Sequence, residues 1–151
     1  MVAQRTISIR VLEPADLKAV LSIQVKCFKD PYPLSLLRRL QIMHPDGFLV
    51  ADAEGTVVGY IIGVIRWGNI GHVLAIGVDP AFQRQRVGTM LIKSIIEHFK
   101  KRGAKVVRLE ARKTNTIAQH FYKGMGFFER GEMPYYYEDG EPAIAMEMPL
   151  D

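Results

Sequence analysis

Gly71-His72-Val73-Leu74-Ala75-Ile76-Gly77-Val78-Asp79-Pro80-Ala81-Phe82-Gln83-Arg84-Gln85-Arg86-Val87-Gly88-Thr89-Met90-Leu91-Ile92-Lys93-Ser94-Ile95-Ile96-Glu97-His98-Phe99 is the run that decides the fold. Its first eight residues are an apolar stretch of strand length, and Asp79-Pro80 ends it. Its last part places Val87, Met90, Leu91, Ile95 and Phe99 at the spacing of a helix with one buried face. Between the two lies a short loop with two arginines and, at the helix start, Gly88. A strand that feeds a basic turn into a helix N-terminus suits phosphate groups. Unpaired backbone N–H groups point outward there, the helix dipole adds about half a positive charge, and arginines add whole ones. The loop lacks the Gly-Lys-Ser/Thr of a Walker turn and the three glycines of a dinucleotide fingerprint.

The chain of 151 residues fits a single domain over 1–151, with 48% hydrophobic and 24% charged residues, an ordinary globular balance. A formal charge of +4 and a pI near 9.3 suit an anionic ligand or a ribosome-like neighbour, and equally a basic protein with neither. The lone Cys27 makes no internal disulfide, and no Cys/His cluster suggests a metal. Met1-Val2-Ala3-Gln4-Arg5 lacks the apolar core of a signal peptide, and no apolar run reaches membrane-spanning length. The expectation is a cytoplasmic protein with no membrane segment and no evident direct nucleic-acid site. Trp67 and the methionines carry no distinct signal.

Outward from the central run, Thr6–Val11 alternates like a strand. Pro14 opens a helix with Leu17, Val20, Leu21 and Val25 as its buried stripe, and Asp30-Pro31-Tyr32-Pro33 breaks the chain. Leu34, Leu37, Leu40 and Met43 mark a second helix. Residues 47–53 and 57–66 form an antiparallel hairpin around Ala53-Glu54-Gly55-Thr56. After the central helix, closed by Gly103, come a strand at 105–111 and a helix capped by Asn115, with Ile117, Ala118, Phe121 and Tyr122 inside it. A final hairpin pairs 127–136 with 143–148. The order β-α-α-β-β-β-α-β-α-β-β predicts an α/β (α+β) domain, a mixed sheet flanked by about four helices.

Two of these motifs carry a resemblance. The loop from Gln83 to Gly88 resembles the Arg/Gln-x-x-Gly-x-Gly/Ala signature of GNAT acetyltransferases, with Arg86 where the first glycine belongs. If the backbone there needs a positive φ, arginine is strained where glycine is not. The run Leu109-Glu110-Ala111-Arg112-Lys113-Thr114-Asn115-Thr116-Ile117-Ala118-Gln119-His120-Phe121-Tyr122-Lys123-Gly124-Met125-Gly126-Phe127 resembles, within that superfamily, the enzymes that acetylate protein N-termini. The ribosomal-protein alanine acetyltransferases and the archaeal and eukaryotic catalytic subunits are among them. Tyr136-Tyr137-Glu138-Asp139-Gly140-Glu141, and Gly71-His72, resemble the archaeal and eukaryotic branch.

The resemblance implies a GNAT fold, mostly antiparallel, and a set of roles. Acetyl-CoA is the cosubstrate, its diphosphate held by Arg84, Gln85, Arg86, Val87, Gly88 and Thr89. Its pantetheine arm lies along Ile76, Gly77 and Val78, with Asn115 and Tyr122 also contributing. Glu110 takes a proton from the amine through water, or else is a strand carboxylate paired with Arg108 or Arg112. Tyr122 protonates the departing sulfur, since a phenol with pKa about 10 is still protonated at neutral pH; otherwise it is a core tyrosine. His72 is a second base or the end of a strand. Gly77 marks close approach of the arm or a bulge. Phe28, Pro31 and Tyr32 form one wall for the incoming peptide, and Tyr136 and Tyr137 the other. A peptide α-amine has pKa about 8 against about 10.4 for lysine, so a modest base suffices for an N-terminus. The implied activity is Nα-acetyl transfer by direct attack in a ternary complex, with no metal. A ribosome or an auxiliary subunit is an expected partner. The rival readings are acetylation of lysine or small amines, and a non-catalytic coenzyme A-binding subunit.

Overall fold

The computed structural model describes residues 6–83 and 86–151. The strands are β1 (Ile7–Val11), β2 (Phe48–Ala53), β3 (Thr56–Arg66), β4 (Ile70–Val78), β5 (Val106–Arg112), β6 (Phe128–Met133) and β7 (Ala143–Pro149). The helices are α1 (Leu17–Cys27), α2 (Leu34–Met43), α3 (Val87–Lys101) and α4 (Thr116–Gly124). The sheet order is β1-β2-β3-β4-β5-β7-β6. β4 and β5 are parallel, as the intervening α3 crossover requires, while the β1–β2, β2–β3, β5–β7 and β6–β7 pairs are antiparallel. This is the mixed, mostly antiparallel sheet expected. Among the described residues, no helix is long and apolar enough to cross a membrane.

The chain divides into two compact units, Met1–Gly63 with Ala75–His98 and Val64–Leu74 with Phe99–Asp151. In the first, Val20, Ile23, Leu37, Phe48, Tyr60, Ile61, Leu91 and Ile95 form a buried core. A Cβ on Gly59 would lie 3.1 Å from Val87 and 3.2 Å from Leu91, so α3 packs close across β3 there. The β2–β3 turn places Glu54 and Gly55 at φ +53° and +96°, and Asp52 Oδ1 accepts the Gly55 N–H at 2.6 Å. In the second unit, Phe99, Val107, Leu109, Phe127, Ala143 and Met146 are buried. Gly71 is required by packing here, because a Cβ would sit 2.4 Å from the Phe99 ring.

Some expectations shift. Pro14–Asp16 is a 3-10 turn and α1 begins at Leu17. Residue 47 belongs to a second such turn ahead of β2. Val25, Met43 and Ile117 are exposed. Periodicity locates the centre of a helix's buried stripe, but neighbouring elements decide how wide it becomes. In α1 the buried place beside Ile23 goes to Gln24.

Candidate active site

β5 alternates cleanly: Val107, Leu109 and Ala111 point into the core, which leaves Arg108, Glu110 and Arg112 on the other face. Parallel pairing sets His72 of β4 opposite Arg108. His72 Nε2 then lies 2.7 Å from Glu110 Oε1, and Arg108 Nε donates to Glu110 Oε2 at 2.9 Å. The Tyr136 hydroxyl donates to Glu110 Oε1 at 3.3 Å. Arg108 also reaches Glu147 of β7 at 3.1 Å. The Glu110 side chain is only 7% exposed. Burial alone would raise its pKa, but the bond and charge of His72 and then those of Arg108 outweigh that. The carboxyl is therefore held below its ordinary range. Glu110 is anionic at neutral pH, and both its oxygens are engaged. An ionised carboxylate only accepts, so His72 Nε2 carries the hydrogen of their bond.

His72 is therefore not a strand end. It is buried within β4 and bonded to Glu110. Of the two arginines expected as alternatives for pairing with Glu110, Arg108 pairs with it and Arg112 turns elsewhere. Arg112 Nη1 donates to Asp139 at 2.9 Å and to Glu141 at 2.8 Å, and its guanidinium carbon stands 4.1 Å from the centroid of the Tyr137 ring. Glu141 also accepts the Thr114 N–H at 2.9 Å and the Thr114 hydroxyl. These bonds from Thr114, and then Arg112, bring the Glu141 carboxyl down to about 2. The β6–β7 connection is thus tied to the end of β5. The two tyrosines it carries, Tyr136 and Tyr137, contact each other edge-on at 5.0 Å.

Asn115 caps α4 as expected, its Oδ1 accepting the Ala118 N–H at 3.1 Å. Two turns on from the cap, Tyr122 is buried between Phe121 and Phe127, with ring centroids 5.3 and 5.8 Å away. Burial pushes its hydroxyl above the ordinary phenol value, so it is a proton donor and not a base at any physiological pH.

In the first unit, Phe28 ends α1 with an extended backbone, and Pro31 and Tyr32 lie in the connection to α2. Gln24, fully buried, fixes that connection like a strand partner: its Oε1 accepts the Tyr32 N–H at 3.1 Å and its Nε2 donates to the Tyr32 carbonyl at 3.2 Å. Sequence reading passed over Gln24, and the signal was a polar residue on the apolar stripe of α1. Cys27 Sγ donates to the Val78 carbonyl at 3.3 Å, and Lys26 pairs with Asp79 at 3.1 Å. Gly77 also has a packing reason beside the two expected. A Cβ there would stand 2.6 Å from the Tyr60 ring, so the glycine makes room for that side chain. Among the described residues, the buried Tyr60 hydroxyl has no hydrogen-bond partner.

α3 starts at Val87. Arg86 has φ +62°, and its carbonyl accepts the Met90 N–H at 3.0 Å, the first bond of the helix. The left-handed backbone that glycine would supply is present, with an arginine in it. Val87 is buried, Gly88 and Thr89 are half-exposed, and the first turn carries no acidic side chain. Its outward N–H groups fit an anionic group such as a diphosphate. Arg84 and Gln85 lie outside the described residues.

The acetyltransferase (GNAT) family matches residues 17–127. The chain is 41% identical to an uncharacterized N-acetyltransferase of Methanocaldococcus jannaschii, over 91% of this chain and 88% of that one. It is 33% identical to an N-alpha-acetyltransferase of Sulfolobus acidocaldarius, over 94% and 92%. The crystal structure of Ard1 from Thermoplasma volcanium superposes with a TM-score of 0.93 at 30% identity, covering 96% of this chain and 98% of that one.

Proposed function

The chain belongs to the GNAT acetyltransferase family, and from that premise we propose that it acetylates the α-amino group of protein or peptide N-termini, with acetyl-CoA as donor. The observation that carries this reading is Glu110, a buried anionic carboxylate shared by His72, Arg108 and Tyr136. Likeness to an N-alpha-acetyltransferase over nearly the whole chain supports the α-amine as acceptor.

Acetyl-CoA, when bound, supplies an activated acyl group and departs as a thiol. Val87, Gly88 and Thr89 offer the helix N–H groups to its diphosphate, with Arg86 adding charge. Ile76, Gly77 and Val78 offer backbone groups to its arm. The incoming amine forms the new C–N bond as the C–S bond breaks. The Glu110–His72 pair accepts the amine's proton through water, and Tyr122 donates a proton to the leaving sulfur, so the proton count balances. Tyr136 and Tyr137 present hydroxyls and ring faces to the acceptor backbone. Phe28, Pro31 and Tyr32, held by Gln24, are a second set of proposed acceptor contacts. The reading carries with it a cytoplasmic location, where both acetyl-CoA and nascent N-termini occur.

The test is a panel of peptides beginning Ser, Ala, Met-Leu or Met-Glu, incubated with acetyl-CoA and followed by mass spectrometry. A second arm uses a peptide with a blocked N-terminus and an internal lysine. The expected product is a single α-acetyl group on free N-termini. Acetylation of the internal lysine alone, or of small amines alone, refutes the acceptor assignment.

A further inference from the structure

β3 and β4 are joined by Trp67-Gly68-Asn69, with Trp67 at φ +51° and Gly68 at φ +77°. A turn with two left-handed central residues favours Asn or Asp followed by Gly. A bulky aromatic residue in the first place is a conformational outlier. Trp67 is also 78% exposed. Apart from the neighbouring Arg66, no contact among the described residues repays this choice, which forces the backbone and leaves a large ring in water. Strain kept at an exposed position points to a role outside the fold.

The surroundings suggest which role. The Lys105 N–H donates to the Asn69 carbonyl at 2.8 Å, tying this turn to the α3–β5 turn within the second unit. That turn brings Lys100, Lys101, Arg102 and Lys105, all exposed, and Arg66 flanks Trp67 with its guanidinium carbon 6.0 Å from the indole centroid. These five cations compare with a formal charge of +4 for the whole chain, so the remainder nets −1. Glu97 lies one turn back in α3, and Asp151 follows Leu150, whose N–H donates to the Lys105 carbonyl at 2.8 Å.

We propose that this end of the second unit is a contact surface for single-stranded RNA, in which the lysines and arginines meet phosphates and the Trp67 ring stacks on an unpaired base. Arginine and lysine neutralise a nucleic-acid backbone, and an exposed indole offers a platform to any unstacked base. A bilayer would need a continuous apolar face, whereas Trp67 stands between Arg66 and Gly68-Asn69. A duplex keeps its bases stacked on each other and leaves the indole without a partner. The inference does not depend on acetyl transfer.

Trp67 is the chain's one tryptophan, so its fluorescence reports the contact directly. The full chain is titrated with an unstructured 12-nucleotide RNA, the same sequence as DNA, a 12-base-pair RNA duplex, and phosphatidylserine vesicles. RNA quenching of the indole, with log K falling against log salt at a slope of about −0.7 per phosphate neutralised, is expected. Trp67→Asn relieves the turn and keeps the fold. By anisotropy of labelled RNA it weakens binding about 5- to 140-fold, the loss of one base stack. Lys101→Gln with Lys105→Gln lowers the salt slope. The proposal is overturned by an unquenched indole at low salt, by equal or tighter binding of the duplex or the DNA, by quenching with vesicles in place of RNA, or by undiminished binding of Trp67→Asn.

Discussion

Replacing Arg86 by glycine tests the phosphate-loop reading most directly. Arg86 holds φ +62° while exposed, and its carbonyl anchors the first bond of α3. A left-handed backbone costs an L-residue about 1–2 kcal/mol. Glycine removes that strain but gives back about 0.4–1 kcal/mol through the freer unfolded chain. The net expectation for Arg86→Gly is a gain of about 0.5–1 kcal/mol. For a chain of this size that is a rise in Tm of about 1–4 °C, read by calorimetry. Arg86→Ala separates the two effects, since it keeps the strain and loses the charge, and its Tm stays at the parent value. If the guanidinium meets phosphate, both variants raise the KM for acetyl-CoA to a similar degree. A Tm for Arg86→Gly at or below that of Arg86→Ala would refute the strain argument. An unchanged KM in both would refute the contact with phosphate.

Glu110→Gln is expected to lower kcat by about 10²–10⁴ with the fold intact, measured on any accepted peptide. Because the Glu110 pKa is depressed, its ionisation stabilises the fold fully above about 4.5 and loses that contribution as pH falls through the lower native value. The variant therefore shows a shallower loss of stability in acid than the parent. Tyr60→Phe removes a buried hydroxyl that lacks a partner among the described residues, and chemical denaturation is expected to show a gain of about 1 kcal/mol. Gly71→Ala drives a methyl into the Phe99 ring and is expected to destabilise by about 1–3 kcal/mol, a fall in Tm of several degrees. Gln24→Leu leaves the Tyr32 N–H and carbonyl without their buried partner, which costs about 1–3 kcal/mol and raises the KM for the peptide more than it lowers kcat.

Element order, both flanking hairpins and the Asn115 cap were legible because each rests on local chemistry: periodicity, turn residues, a capping side chain. Arg86 was legible as a question, whether a glycine-like φ occurs there, which only the backbone could answer. The His72–Glu110 bond was not legible. It joins residues 38 apart, and nothing short of the β4–β5 register brings them together. The same holds for the Arg112 grip on Asp139 and Glu141, although the alternation Arg108-x-Glu110-x-Arg112 already announced three charges on one face of a strand. Gly77 is the instructive case. A Cβ on it would meet Tyr60 of β3, a side-chain contact across strands that no local pattern conveys.

With Arg108 against Glu110 and Glu147, and Arg130 3.4 Å from the latter, anions and guanidinium groups alternate in equal number across β5, β7 and β6. Such an electroneutral chain does not gather ammonium ions from solution. If an acceptor amine arrives already uncharged, at pH 7 an α-amine does so about two hundredfold more often than a lysine. Discrimination between chain ends and side chains would in that case begin in the solvent.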